Sequence, residues 1–241
     1  MGRILFLIAG DFQRTIKYNI LAATFFVAII WAGVLQFIEI KDVTSFFPLL
    51  VFIDVTSMAV LFVGVSMFFE KQEGSIKSIL ISPVSKFEYI ISKALVNMFL
   101  NVLVLILLYI YAVLFKEIEI NIIGLTASVM LVSFLHSMIG FFITYYSKSF
   151  TDVLMGMMKY SLITMTPVLL EYMGIIKSDI LKYIIKVLPT KASLDLLTAE
   201  TEQLSTATVA FNVVFLVVLC GFLYFVVSKK FDEFAVKESG V

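Results

Sequence analysis

Apolar residues in this chain fall into long blocks, with neither the strict alternation of a half-buried strand nor the narrow stripe of a soluble helix. Six blocks stand out, at roughly 19–38, 46–69, 94–115, 122–146, 153–173 and 206–228. Each has about the 20 residues a helix needs to cross hydrocarbon. A helix satisfies every backbone group within itself, so it is the open-ended structure that can do so. The pattern predicts an all-α integral membrane protein with six transmembrane helices.

Three segments outside the blocks have a character of their own. In residues 1–17, Ile4, Leu5, Ile8, Phe12 and Ile16 recur at near-helical spacing among Arg3, Asp11, Gln13, Arg14 and Lys17, which predicts an interfacial helix. In residues 174–205, Ile180, Leu181, Ile184, Ile185 and Leu188 form a second helical stripe that lies on the outer interface or dips back in, with Pro189 ending or kinking it. Residues 70–93 are too charged to cross and too apolar for a simple turn. Gly74 marks a break there, and Ser82-Pro83 reads as a helix start, Ser82 capping and Pro83 in the first position. The prediction is helix–break–helix.

Composition supports a lipid environment. Of the 241 residues, 61% are hydrophobic and 15% charged, against about half and a quarter in soluble domains. The six blocks use up the length, leaving no room for a soluble catalytic domain. Zero net charge gives no case for a nucleic-acid partner. The single cysteine, Cys220, excludes an internal disulfide and a cysteine-rich metal site. The apolar run after Arg3 is at the short edge of a signal-peptide core, no convincing small-residue cleavage site follows it, and it reads as part of the mature chain.

Lysine and arginine set the orientation. The side holding both termini collects Arg3, Arg14, Lys17, Lys71, Lys77, Lys86, Lys93, Lys148, Lys159, Lys229, Lys230 and Lys237, twelve in all. The other side collects Lys41, Lys116, Lys177, Lys182, Lys186 and Lys191, which is six. Both termini are expected in the cytoplasm of a bacterial or archaeal cell, with a multi-pass chain in its plasma membrane.

Charge at bilayer depth costs about 2.5–3.5 kcal/mol on insertion scales, so intramembrane polar residues ask for a reason. Asp54, in the second span, pairs across a dimer, lines a path, or is a structural group bonded to Ser57 or a neighbouring helix. His136 shares a face with Ser133, Ser137, Gly140 and Thr144, a small-residue pattern typical of close helix packing. Asn97 and Asn101, four apart, form a similar stripe in the third span. Lys159 and Glu171 are expected near the two ends of the fifth span, and Pro167 is expected to kink it.

Glu70 closing the second span, then Glu73-Gly74, Ser82-Pro83, Tyr89 and Lys93 before the third, resemble the permease subunits of ABC-2 type ATP-binding-cassette exporters. Lys71 stands where arginine is common in that family. The six spans, the interfacial helix and the structured loop between spans five and six agree with the resemblance over the whole chain. It implies a transport subunit without ATP chemistry. The chain has no G-x-x-x-x-G-K-[ST] loop, so ATP and magnesium would be held by a separate ATPase. Two ATPase copies would join two permeases, identical or sister chains. The segment 70–93 would contain a coupling helix seated in a groove of the ATPase, with Glu70, Glu73, Gly74, Ser82, Pro83, Tyr89 and Lys93 as its residues. Asp54, Asn97, Asn101 and His136 are the candidate path residues. The resemblance implies export, with hydrophobic or amphipathic cargo such as a toxic peptide, a drug or a lipid-like molecule. The competing readings are an intramembrane enzyme, for which no clustered catalytic groups are present, and a channel or scaffold subunit without energy coupling.

Overall fold

The computed structural model describes residues 2–37, 43–80, 82–202 and 204–239, all helical or connecting, with no strand among them. Lys41, counted above for orientation, and Ile81, within the connection after the second span, lie outside the described residues. The helices are α1 (Gly2–Lys17), α2 (Ile20–Phe37), α3 (Val43–Gln72), α4 (Ser75–Leu80), α5 (Lys86–Lys116), α6 (Ile122–Tyr146), α7 (Phe150–Tyr160), α8 (Thr166–Tyr172), α9 (Asp179–Lys186), α10 (Pro189–Thr198) and α11 (Thr206–Ser239). A π-helical turn, Ser161–Met165, joins α7 to α8. α2, α3, α5, α6, the continuous α7–α8 and α11 are long and apolar enough to cross a membrane.

α3 is the central post and packs most extensively on α6. The small-residue face of α6 makes this possible. At Gly140 an added Cβ would stand 2.9 Å from the Val60 carbonyl oxygen and 3.2 Å from its Cα. Backbone meets backbone there, the approach that small residues permit between membrane helices. Ser133, Ser137 and Thr144 on the same face are buried and return their hydroxyls to, or accept bonds within, the bundle.

Several expectations about boundaries are corrected. The third span begins at Lys86, not near residue 94, so Tyr89 and Lys93 are helical and the connection between spans is short. The helix is not capped by Ser82 with Pro83 first. Ser85 caps it, accepting from Glu88 N at 3.2 Å, while the Glu88 carboxylate accepts from Ser85 N at 2.9 Å. This reciprocal capping box satisfies two otherwise orphan donors, where Ser82 would satisfy one. Pro189 starts α10, where its missing N–H costs nothing. The fifth span begins at Phe150, which sets Lys159 about two and a half turns inside it. Pro167 sits just after the π turn, in the first turn of α8.

The loop after span five divides in two. α9 keeps Ile180, Leu181, Tyr183 and Ile184 exposed on its surface. α10 dips into the bundle against α3, α6 and α11, with Thr190, Ala192, Ser193, Leu194, Leu196 and Leu197 buried. Two ties hold it to span five: Thr190 Oγ1 donates to the Thr164 carbonyl at 2.7 Å, and Lys191 pairs with Glu171 at 3.0 Å.

Candidate functional site

Where α1 crosses the ends of α3 and α5, four charged side chains meet. Asp11 and Arg14, three apart on α1, face inward together. Glu70 comes from the last turn of α3 and has no exposed surface. Tyr89 and Lys93, four apart, share one face of α5 and are equally buried.

The Glu70 carboxylate is fully used. Its Oε1 accepts from Lys93 Nζ at 2.7 Å and Arg14 Nη1 at 3.0 Å, and its Oε2 accepts from the Tyr89 hydroxyl at 2.8 Å. Asp11 Oδ1 accepts from Arg14 at 3.0 Å and lies 3.5 Å from Lys93 Nζ, while Oδ2 accepts from Ser92 Oγ at 2.8 Å. Lys93 also donates to Ser66 Oγ at 3.0 Å. Two acids and two bases give a neutral knot. The cleft lined by Asp11, Thr15, Ser66, Lys93 and Asn97 leaves about 10 Å³ of free space, roughly the room of one water. Each buried charge is therefore paired and hydrogen-bonded, the condition under which burial is tolerated.

Around the knot α1 is pinned twice more. At its far end Lys17 pairs with Glu73 at 2.6 Å, and the Tyr18 hydroxyl donates to Glu73 Oε2 at 2.8 Å. The Tyr18 ring stacks on Phe69, 4.8 Å between centroids. At its start Arg3 Nη1 reaches the Pro83 carbonyl through a long 3.4 Å bond. Bonds from Lys17 and Tyr18 hold the Glu73 carboxyl below the ordinary glutamate range. Burial and the bond to Glu73 push the Tyr18 phenol up. Burial pulls Arg14 down, but Glu70 and Asp11 outweigh it and raise the guanidinium above its ordinary value. α1 is thus strapped across both roots of the α3–α5 connection.

Gly74 makes the break between α3 and α4, with φ of 69°, a left-handed value that glycine adopts without cost. Ser82 and Pro83 lie in the stretch between α4 and α5, where Ser82 Oγ accepts from Val84 N at 3.4 Å. Glu70, Tyr89 and Lys93 therefore come together, Glu73 binds α1, and Ser82 and Pro83 stay outside the knot. Glu70 has no exposed surface and spends its carboxylate on Arg14, Tyr89 and Lys93 of its own chain.

Sequence reasoning missed Asp11, Arg14, Ser66 and Ser92 as members. Asp11 and Arg14 carried a signal, because an acid and a base three apart on an amphipathic helix share a face.

The mid-membrane polar groups are dispersed. Asp54 accepts from Trp31 Nε1 of α2 at 2.8 Å. Asn97 donates to the Ala59 carbonyl at 2.7 Å and to Ser137 Oγ at 2.8 Å, and Asn101 donates to Ser133 Oγ at 3.1 Å. His136 Nδ1 lies 2.8 Å from the Val132 carbonyl, which only accepts, so the neutral ring carries its proton on Nδ1. Nε2 then accepts from the Tyr160 hydroxyl at 3.0 Å, a partner the sequence did not reveal. Each group ties one helix to its neighbour.

The profile of the fluoroquinolones export permease protein family matches residues 3–239. The chain belongs to the fluoroquinolones export permease family. It is 26% identical over 245 residues to the fluoroquinolones export permease proteins of two Mycobacterium tuberculosis strains, CDC 1551 / Oshkosh and ATCC 25618 / H37Rv, covering all of both chains in each case. No solved structure matches it. A fluoroquinolones export permease is a transport protein, not an enzyme, and this member of the family is a multi-pass membrane protein by its six apolar helices.

Proposed function

We propose that this chain is the transmembrane subunit of an ABC-2 type exporter, driven by a separate ATPase that docks on α4 and the stretch leading to α5. Both termini and this stretch face the cytoplasm of a bacterial or archaeal cell. The working unit pairs two permeases with two ATPases, which bind the ATP and magnesium. α7–α8, α11 and α2, the three spans least covered by their own chain, offer the surface for the second permease. The cargo is an amphipathic aromatic compound of the kind named for the two mycobacterial relatives.

The knot of Asp11, Arg14, Glu70 and Lys93 is the observation that carries this reading. A loop that transmits force needs stiff roots, and here both roots are fixed to each other and to α1 by charge-assisted bonds of 2.7–3.0 Å, the strong class of hydrogen bond. A push on α4 would then move α1, α3 and α5 as one body. A channel or scaffold subunit needs no junction that transmits force.

The test is to co-purify the permease with an ATP-binding-cassette protein encoded beside it and measure hydrolysis with and without a fluoroquinolone. Gly74→Pro, which forbids the positive φ, and Glu73→Lys, which repels Lys17, are expected to abolish drug-stimulated hydrolysis or assembly. If both variants assemble and respond like the parent, the coupling role is wrong.

A further inference from the structure

We infer that the projecting end of α11 is a clamp that sets the position of α4, with Phe231 and Phe234 as positioning residues for coupling. The coupling part of this inference rests on the reading above; the clamp itself does not.

α11 has 34 residues, about 51 Å of helix at 1.5 Å per residue, against a hydrocarbon core of about 30 Å. Crossing the membrane needs only some 20 of them. The remaining turns lie beyond Ser228, where Lys229, Lys230, Asp232 and Glu233 interrupt the apolar run. A helix that merely overshot into water would be polar all round. This one is not. Val227, Phe231, Phe234 and Ala235 recur at helical spacing and are buried, while Asp232 and Glu233 point outward.

The buried face covers the α4 region and its surroundings. Ile76 of α4 is 1% exposed and belongs to one apolar cluster with Tyr89, Tyr145, Phe231, Phe234 and Ala235. The Phe231 ring lies 5.2 Å from that of Tyr89, and Phe234 stacks on Tyr145 at 4.6 Å. On the rim, Lys86 at the start of α5 pairs with Asp232 at 2.8 Å.

α4 cannot hold itself. Six residues are far below the length at which a helix is stable alone, and the Gly74 break frees it from the direction of α3. Its placement comes from what it packs on, which is α11 and the end of α3. Tyr89 links the two systems, since its ring meets Phe231 while its hydroxyl holds Glu70. A displacement of α4 is thereby opposed by span six as well as by the charge knot, and span six becomes a second route into the bundle.

The experiment uses the full chain in lipid nanodiscs with Cys220→Ser, spin labels on Ser78→Cys and Glu233→Cys, and distances read by pulsed electron resonance. The parent is expected to give one narrow distance. Phe231→Ala with Phe234→Ala should broaden it, and drug-stimulated hydrolysis by the assembled complex should fall by about tenfold, the factor that 1.4 kcal/mol of lost coupling produces, while co-purification persists. Because that double variant removes buried aromatic area and can fail to fold, a charge pair serves beside it. Asp232→Lys should broaden the distance, and adding Lys86→Asp should narrow it again.

An unchanged distance in both variants overturns the clamp. A broadened distance with unaltered stimulation overturns its role in coupling. If the parent neither binds nor stimulates an ATPase, the exporter reading fails, and the distances still decide whether α11 positions α4.

Discussion

Tyr89, Lys93, Asn97 and Asn101 stand on successive turns of α5, four residues apart, yet the two halves of this ridge are built differently. In the first half, Lys93 and Tyr89 enter a knot of four charges drawn from α1, α3 and α5. In the second half, the two asparagines donate to single hydroxyls and carbonyls of α6 and α3. A buried charge needs an opposite charge and a full set of bonds, so it can exist only where several segments converge. A buried amide needs only one neighbour and can be placed anywhere along a helix pair. The termini-side end of the bundle is therefore expensive to disturb and mechanically unified, while the middle is held by weak, separable ties.

The largest expected effect comes from breaking the knot. Lys93→Met leaves Glu70 and Asp11 sharing Arg14, and is expected to lower stability by about 3–5 kcal/mol, read as thermal unfolding in detergent. Adding Glu70→Gln should recover a large part of that loss. If Lys93→Met proves no worse than Asn101→Leu, the contrast between the two halves is false.

Packing comes next. Gly140→Ala drives a Cβ onto the Val60 backbone and is expected to cost about 1–3 kcal/mol. Gly33→Ala meets nothing within 4 Å and should stay within about 0.5 kcal/mol of the parent. Similar losses from both would mean that α3 and α6 do not touch as described.

Asn101→Leu should cost about 0.6 kcal/mol, the average for interhelical hydrogen bonds in membranes. A double-mutant cycle with Ser133→Ala should assign most of it to that pair.

The smallest effect is a pH dependence at the edge of the knot. The Glu73 carboxyl is held low by Lys17 and Tyr18, so its contribution is fully present above the ordinary glutamate range and lost as pH falls through its lowered value. Amide exchange at Tyr18 and Asn19 should stay slow at pH values where free glutamates already protonate. In Glu73→Gln that protection should lose its pH dependence.

The spans were legible because hydrocarbon imposes length and apolarity on each segment independently of its partners. The resemblance singled out Glu70, Tyr89 and Lys93, but their burial against one another was not legible. That burial depends on Arg14, 56 residues from Glu70 in sequence, and on Asp11, which accepts from Ser92 81 residues away and faces Lys93. The helix start was misread because Ser82-Pro83 and Ser85-x-x-Glu88 are rival cap signals three residues apart, and the reciprocal box prevails. Tyr160 stayed hidden as the partner of His136 because an apolar span gives no sign of which face meets which neighbour. The extension of α11 was cut short at residue 228 because Lys229 and Lys230 look like a membrane exit, although the apolar spacing continues through Phe231, Phe234 and Ala235.

The side of the membrane on which α4 sits decides the account most directly. Single cysteines at Ser78 and Ser82 in a Cys220→Ser chain, probed with a membrane-impermeant maleimide, should react in inside-out vesicles and stay protected in intact cells. Labelling of either cysteine in intact cells would put the α3–α5 connection out of reach of any cytoplasmic ATPase and contradict the account.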